Sequence, residues 1–199
     1  MRIILRTPLS LGTLLLAGLF IGLLAGCAPE LGSRLELGMI PAIAPIKSRD
    51  FEMVKLHVMK FQDSRTNDTI ADVAGKEMRA GSDVGSVVQE AFENAIRING
   101  GRLCAFDCAS VTGEILRWKI TAQQAFPMST YDAEASIRIS ILNAKGDAVF
   151  TGNYSGSTQT KHPLLTEEKV HEVLTQSMGY AIDEAVRDRR VVEKLNELS

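Results

Sequence analysis

Hydrophobic and polar positions alternate most cleanly between Tyr131 and Ile141. Tyr131, Ala133, Ala135, Ile137, Ile139 and Ile141 fall on one side of the chain, and Asp132, Glu134, Ser136, Arg138 and Ser140 on the other. A period of two predicts a strand with one face in a core and the other in water. Residues 111–122 place Leu116, Trp118, Ile120 and Ala122 on one face, and the run Ala148 to Ser157 turns Phe150 and Tyr154 inward. Met53 to Phe61, MVKLHVMKF, reads as a first strand, and residues 102–106 as a short further one. Asn143 to Asp147 reads as a hairpin loop in which Gly146 takes a positive φ. Residues 70–81, with Gly75 and Gly81, read as a mixed loop.

Two segments change the period from two to 3.6. Val84, Val87, Val88, Ala91, Phe92, Ala95 and Ile96 form one helical stripe, capped by Ser82 or Asp83 and closed by Asn99-Gly100-Gly101. Val170, Val173, Leu174, Met178, Ala181, Ile182, Ala185 and Val186 form a second. Thr166 is its expected N-cap, with Glu167 and Glu168 in the first turn where the helix dipole favours acid. The charged tail DRRVVEKLNELS carries one more short amphipathic turn. The expected fold is α+β, in the order β-α-β-β-β-β-α. A mostly antiparallel four- to five-stranded sheet carries two amphipathic helices on one face. No internal repeat and no second domain is evident.

One apolar run fits neither period. No charge occurs from Thr7 through Pro29, Arg2 and Arg6 precede the run, and Leu24-Ala25-Gly26-Cys27 closes it. Its length alone would suffice for a membrane helix. The basic start, apolar middle and small residues before Cys27 instead make a secretory signal. The last four residues look like a bacterial lipobox, with cleavage between Gly26 and Cys27 and a diacylglyceryl and N-acyl group on Cys27. Several acyl chains give a stable anchor where one chain gives a marginal one. No other cofactor is expected. Ala28 after the cysteine resembles the sorting pattern of outer-membrane passengers. The expected domains are a cleaved signal (1–26), a lipidated cysteine and extended tether (27–50), and one periplasmic α/β domain (51–199). Pro29, Gly32, Gly38, Pro41 and Pro45 disfavour helix in the tether. Its apolar stretch MIPAIAPI could also lie along the domain as an edge segment.

Charge and cysteines then narrow the partners. The 22 basic residues against 24 acidic ones give a formal charge of −2, and removal of Arg2 and Arg6 with the signal leaves −4. A nucleic-acid partner, which needs a basic face, is not expected. Export to an oxidising compartment makes Cys104 and Cys108, in C-x-x-x-C, a candidate disulfide, and two buried thiols would fit the same spacing. No metal site is expected, because His57, His162 and His171 lie far from these cysteines with no ligand spacing.

Candidate chemistry is sparse. Gly75 to Asp83, GKEMRAGSD, lacks the closing Gly-Lys-Ser/Thr of a phosphate loop, and no Gly-x-Ser-x-Gly elbow occurs. His57 reads as a sheet-face residue, His162 as a loop residue and His171 as a solvated helix residue. No catalytic residue is assigned, and an enzyme is not expected. Asp63-Ser64-Arg65 follows the first strand, where it forms either a contact site or a local ion pair. Trp118, Phe126 and Tyr131 flank the hinge AQQAFPMST, as core or as a partner-binding tip. Asp63, Arg65, Phe126 and Tyr131 are therefore the candidate partner-contact residues.

Together these pieces resemble the YajG-like family of uncharacterised bacterial lipoproteins. They are the lipobox at Cys27, Asp63-Ser64-Arg65, the helix ending in Gly100-Gly101, the meander with Tyr131-Asp132-Ala133, Gly146 and Tyr154-Ser155-Gly156, and the helix ending near Asp188. The resemblance spans roughly residues 53–198. More distantly the arrangement is similar to small periplasmic lipoproteins of the CsgG and LpoB type and to accessory lipoproteins of envelope transport systems. It brings no catalytic residues. It implies an anchored, non-enzymatic envelope protein. With Ala28, the open polar sheet face and the tethered domain, the expectation is an accessory or scaffold at the periplasmic face of the outer membrane, acting on another envelope protein. The alternative is a carrier of a lipid or envelope glycan.

Overall fold

The computed structural model describes residues 33–41, 51–105, 108–164 and 166–199. Their strands run β1 (Arg34–Leu35), β2 (Lys55–Val58), β3 (Gln62–Asp63), β4 (Thr69–Val73), β5 (Lys76–Ala80), and, after helix α1 (Val84–Ile98), β6 (Arg102–Leu103), β7 (Ala109–Gln123), β8 (Ser129–Leu142) and β9 (Ala148–His162). Helices α2 (Glu167–Arg187) and α3 (Arg189–Glu197) close the chain. The signal segment and the Gly26–Cys27 junction lie outside the described residues.

The predicted meander is present. β8 lies antiparallel between β7 and β9, and Tyr131 through Ile141 alternate buried and accessible as expected. The fold is α+β, but the sheet is larger and more mixed than the expected four to five antiparallel strands. On the other side of β7, residues 55–73 run parallel to it in three pieces: β2 beside Leu56↔Ala109, β3 beside Gln62↔Glu114, and β4 beside Ala71↔Ile120. β6 then flanks β2, and β5 and β1 flank β4, to give nine strands with three helices among the described residues. Parallel pairing needs a crossover, which α1 supplies. Periodicity could not expose this half. β4 is buried at Thr69, Ile70, Ala71 and Val73, so no alternation marks it. The β4–β5 hairpin turns on Ala74 (φ 52°) and Gly75 (φ 81°), two successive positive φ values that suit a tight primed turn without an Asn-Gly signal.

Within β7 the inward face changes parity. Val111, Gly113 and Ile115 face the core, the register slips between Ile115 and Arg117, and Trp118, Ile120 and Ala122 take over. Leu116, expected on the Trp118 face, is the half-buried extra residue of this bulge and lies with the outward set. Two commitments to the core set the layers. Phe61 meets Phe92 of α1 with ring centroids 5.8 Å apart, and the Trp118 indole donates to the Leu174 carbonyl of α2 at 3.0 Å. The predicted helical stripes are buried apart from half-buried Val87, and the caps are Asp83 and Thr166.

Three further details depart from expectation. Part of the tether belongs to the fold: β1 pairs parallel with β5, Leu35, Leu37 and Ile40 are buried, and Gly38 N–H donates to His171 Nε2 at 2.8 Å. His171 is therefore a half-buried clasp on that segment rather than a solvated helix residue. The tail forms a full helix, α3, with Val191, Val192 and Leu195 buried. The disulfide between Cys104 and Cys108, by contrast, is present as expected, with Cα atoms 6.7 Å apart. Since β6 and β7 flank β2 on opposite sides, the bridge closes the step by which the chain passes from one side of β2 to the other.

Candidate functional site

The outward face of the meander is polar and internally paired. Arg117 bonds Glu134 at 2.5 Å, Arg138 reaches both Glu114 and Asn153, and Gln159 donates to Asp132 at 2.6 Å. Exposed pairs of this kind contribute little to stability, but they leave the face solvated and without an apolar patch.

Asp63 and Arg65 settle as a local pair. Arg65 Nε and its Nη donate to both Asp63 oxygens at 2.8 Å, and the Arg65 side chain is only 6% exposed. The hydrogen bonds from Arg65 hold the Asp63 carboxyl below the usual carboxylate range, against a smaller opposing effect of burial. The pair pins the break between β3 and β4, and its guanidinium is engaged rather than presented.

The aromatic group divides. Trp118 and Tyr131 are core. Tyr131 is removed from the contact residues by its burial: its hydroxyl donates to the Leu164 carbonyl at 2.7 Å and accepts from Thr166 N–H at 3.1 Å. It thereby fixes the β9–α2 connection beside the β7–β8 loop. Phe126 is the opposite case, 100% exposed at the tip of that loop, ahead of a cis bond to Pro127. Met128 (38% exposed) and Leu164 (64%) lie at the same end of the sheet.

Two arrangements were not evident from sequence. The first is at the β9 edge. Among the described residues β9 pairs only with β8, over a register from Ala148 to His162. Ser155 N–H points away from β8, to Glu184 of α2 at 2.8 Å, and antiparallel alternation sends the amides of Asn153, Ser157 and Gln159 the same way. Natural edges are commonly guarded by charge or proline, and residues 148–160 contain neither. That charge-free run was the available sequence signal. The second is a clasp at the α2–α3 junction. The Tyr154 hydroxyl donates to Asp188 Oδ2 at 2.8 Å, and Asp188 also caps α3 and bonds Arg190 at 2.6 Å. Arg190 holds the Asp188 carboxyl down at about 2, with the Tyr154 bond adding to this; burial and the same carboxylate push the Tyr154 hydroxyl well above its ordinary value. Among the described residues no group of three His, Cys, Asp or Glu could hold a metal.

The recesses are shallow. One between α1, α2 and Ile40–Pro41 has a cavity volume of about 10 Å³. Others of about 220, 410 and 550 Å³ open on the surface, beside residues 37–40, on the outward sheet face and along the β9–α2 edge respectively.

A family model described as an uncharacterized lipoprotein matches residues 46–196. The chain belongs to this lipoprotein family. The match spans the meander, all three helices and the Cys104–Cys108 step, and it implies a membrane-anchored protein of the bacterial envelope. Among the described residues no helix is long and apolar enough to cross a membrane. Comparison with curated proteins finds no match. Among solved structures, a Xanthomonas campestris protein, XCC0632, has a similar fold, with TM-score 0.60 and 10% identity over 82% of this chain and 98% of that one. A minor lipoprotein from Acinetobacter baumannii shows a weaker likeness, TM-score 0.41 and 10% identity over 73% of this chain and 94% of that one. At these identities the likeness concerns fold alone.

Proposed function

We propose that this lipoprotein is anchored by Cys27 at the periplasmic face of the outer membrane and acts as a non-enzymatic accessory or scaffold in envelope assembly or maintenance, through contact with another envelope protein. The observation that carries the reading is the β9 edge, a long strand paired on one side among the described residues, whose outer amides other than the Glu184-bonded Ser155 lie in a stretch free of charge and proline. An edge of this kind takes an added strand through main-chain hydrogen bonds, with the outward side chains selecting the partner. The outward sheet face, crossed by its own ion pairs, serves this role less well than the edge does. A lipid or glycan carrier would need a deep apolar cavity of some hundreds of cubic ångströms. Among the described residues the recess at the helix pair holds about 10 Å³, and those of some hundreds of cubic ångströms open on the surface, which supports the scaffold better than the carrier.

The test places a photo-crosslinking residue at Gln159 in the full chain and irradiates intact envelopes. A discrete protein adduct is expected, and Ser157→Pro should abolish it, because proline removes an edge donor without breaking a β8–β9 bond. The melting transition of Ser157→Pro serves as the folding control. An adduct that survives Ser157→Pro, or no adduct at all, would count against edge pairing as the mode of action.

A further inference from the structure

The end of the sheet that carries Phe126 is also the end at which the chain enters the fold. β7 runs toward that end and stops at Gln123, with β4 parallel to it and β5 antiparallel to β4. β1 is parallel to β5, so it runs away from that end, and Ser33 is the described residue of this segment nearest to it. The register sets the distance. Arg34 is level with Arg79, Arg79 with Thr69, and the β4 register carries Thr69 to about the level of Trp118. From Trp118 to Gln123 is five residues of strand, roughly 17 Å. From Cys27 to Ser33 is six residues, reaching at most about 20 Å when extended.

A lipid on Cys27 is therefore just able to reach past the loop end of the sheet. It cannot bring down the opposite end, where β7 begins. The surfaces within its reach include that loop end, the β1–β5 flank and the outward sheet face, the last crossed by its own ion pairs. The flank is charged, with Arg34, Glu36, Asp68, Glu77 and Arg79. The loop end is apolar at its extremity, and its shoulders carry charges of both signs. Phe126, Met128 and Leu164 project there, and the segments 74–76, 123–128 and 161–164 carry Lys76 and Lys161 and no acid. Asp72, Glu77, Glu167 and Glu168 flank these segments. A large aromatic with aliphatic neighbours and nearby lysines is the composition that settles into a lipid interface.

We propose that this end of the domain lies against the bilayer that holds the Cys27 lipid, with the Phe126 ring seated in its interfacial layer. The proposal rests on lipidation of Cys27 and adds a second, orienting contact to it. Seated this way, the meander stands away from the membrane, with the β9 edge running from the bilayer into the periplasm.

Fluorescence quenching in vesicles tests it. The mature lipidated chain is reconstituted into phosphatidylethanolamine–phosphatidylglycerol vesicles with and without acyl-brominated phosphatidylcholine. Trp118, the chain's one tryptophan, is buried against α2 and should stay unquenched in the wild type. The indole introduced by Phe126→Trp should shift to the blue on reconstitution and lose most of its emission to the brominated lipid. The indole introduced by Ala144→Trp, in the exposed β8–β9 loop at the far end, should keep its emission. A chain that floats with the vesicles while Phe126→Trp stays unquenched overturns the proposal, since the tip then faces water or a protein. Equal quenching at both positions overturns it as well, because the domain then lies flat. If the mature chain isolated from envelopes proves to carry no lipid on Cys27, the anchor and the seated tip are overturned together.

Discussion

Asp188 shows how one residue can join three elements. It accepts from the Tyr154 hydroxyl on β9, caps α3 through Arg190 N–H, and pairs with the Arg190 guanidinium, which also lies 5.8 Å from the centre of the Phe150 ring. Sequence placed Asp188 only at the end of a helix, because its partners are more than thirty positions away on one side and two on the other. Its folded pKa of about 2 lies below the ordinary 3.8. A depressed carboxylate stabilises the fold fully above the unfolded value, and this contribution fades as pH falls through the folded one. Melting temperature measured against pH should therefore fall between about pH 4 and pH 2, and Asp188→Asn should flatten that part of the curve while lowering the melt at neutral pH. An unchanged acid limb in Asp188→Asn would assign the titration elsewhere, with Asp63, also held low by Arg65, as the next group to examine.

At the scale of elements, the helical stripes and the strand Tyr131–Ile141 were legible because one face of each meets the core and the other meets water. Elements without that asymmetry were not. β4 is covered almost throughout, β3 and β6 are two residues long, and Leu116 interrupts the parity of β7. Contact between α2 and β9 depends on a residue whose importance no pattern carries. A Cβ at Gly156 would come 2.1 Å from the Ser177 carbonyl oxygen and 2.6 Å from Ala181 N, both helix backbone. Helix α2 therefore rests directly on the strand at this point. Gly156→Ala should force the two apart and cost about 1–3 kcal/mol, the usual range for overpacking, read as a lower denaturation midpoint. A midpoint equal to wild type would mean that helix and strand separate there without cost.

The molecule as a whole is a lipoprotein domain with a short lead. Because β1, Leu37 and Ile40 join the fold, the span free to act as a tether from Cys27 shrinks from the expected 27–50 to the few residues before Ser33. With the lipid on Cys27 proposed above, a lead of that length would keep the domain close to the bilayer rather than tens of ångströms away. The anchor is open to direct assay. Cys27→Ser should leave an unlipidated, slower-migrating precursor with its signal attached, seen by gel and by fatty-acid labelling. Normal maturation of this variant would remove the lipobox assignment and the short-lead argument with it.

Sequence by itself determined what depends on near neighbours and on address: the lipoprotein family, the α+β class, the meander, both long helices with their caps, and the pairing option of two cysteines four apart. These are written in periods, caps and a motif that act within a turn or a hairpin. Tertiary structure alone decided the rest. It laid residues 55–73 in pieces beside β7, drew the supposed tether in as β1, sent Tyr131 to the core while leaving Phe126 in the open, and left β9, among the described residues, with one strand neighbour. Each of those outcomes depends on which distant segment occupies the adjoining space, and no local pattern encodes that.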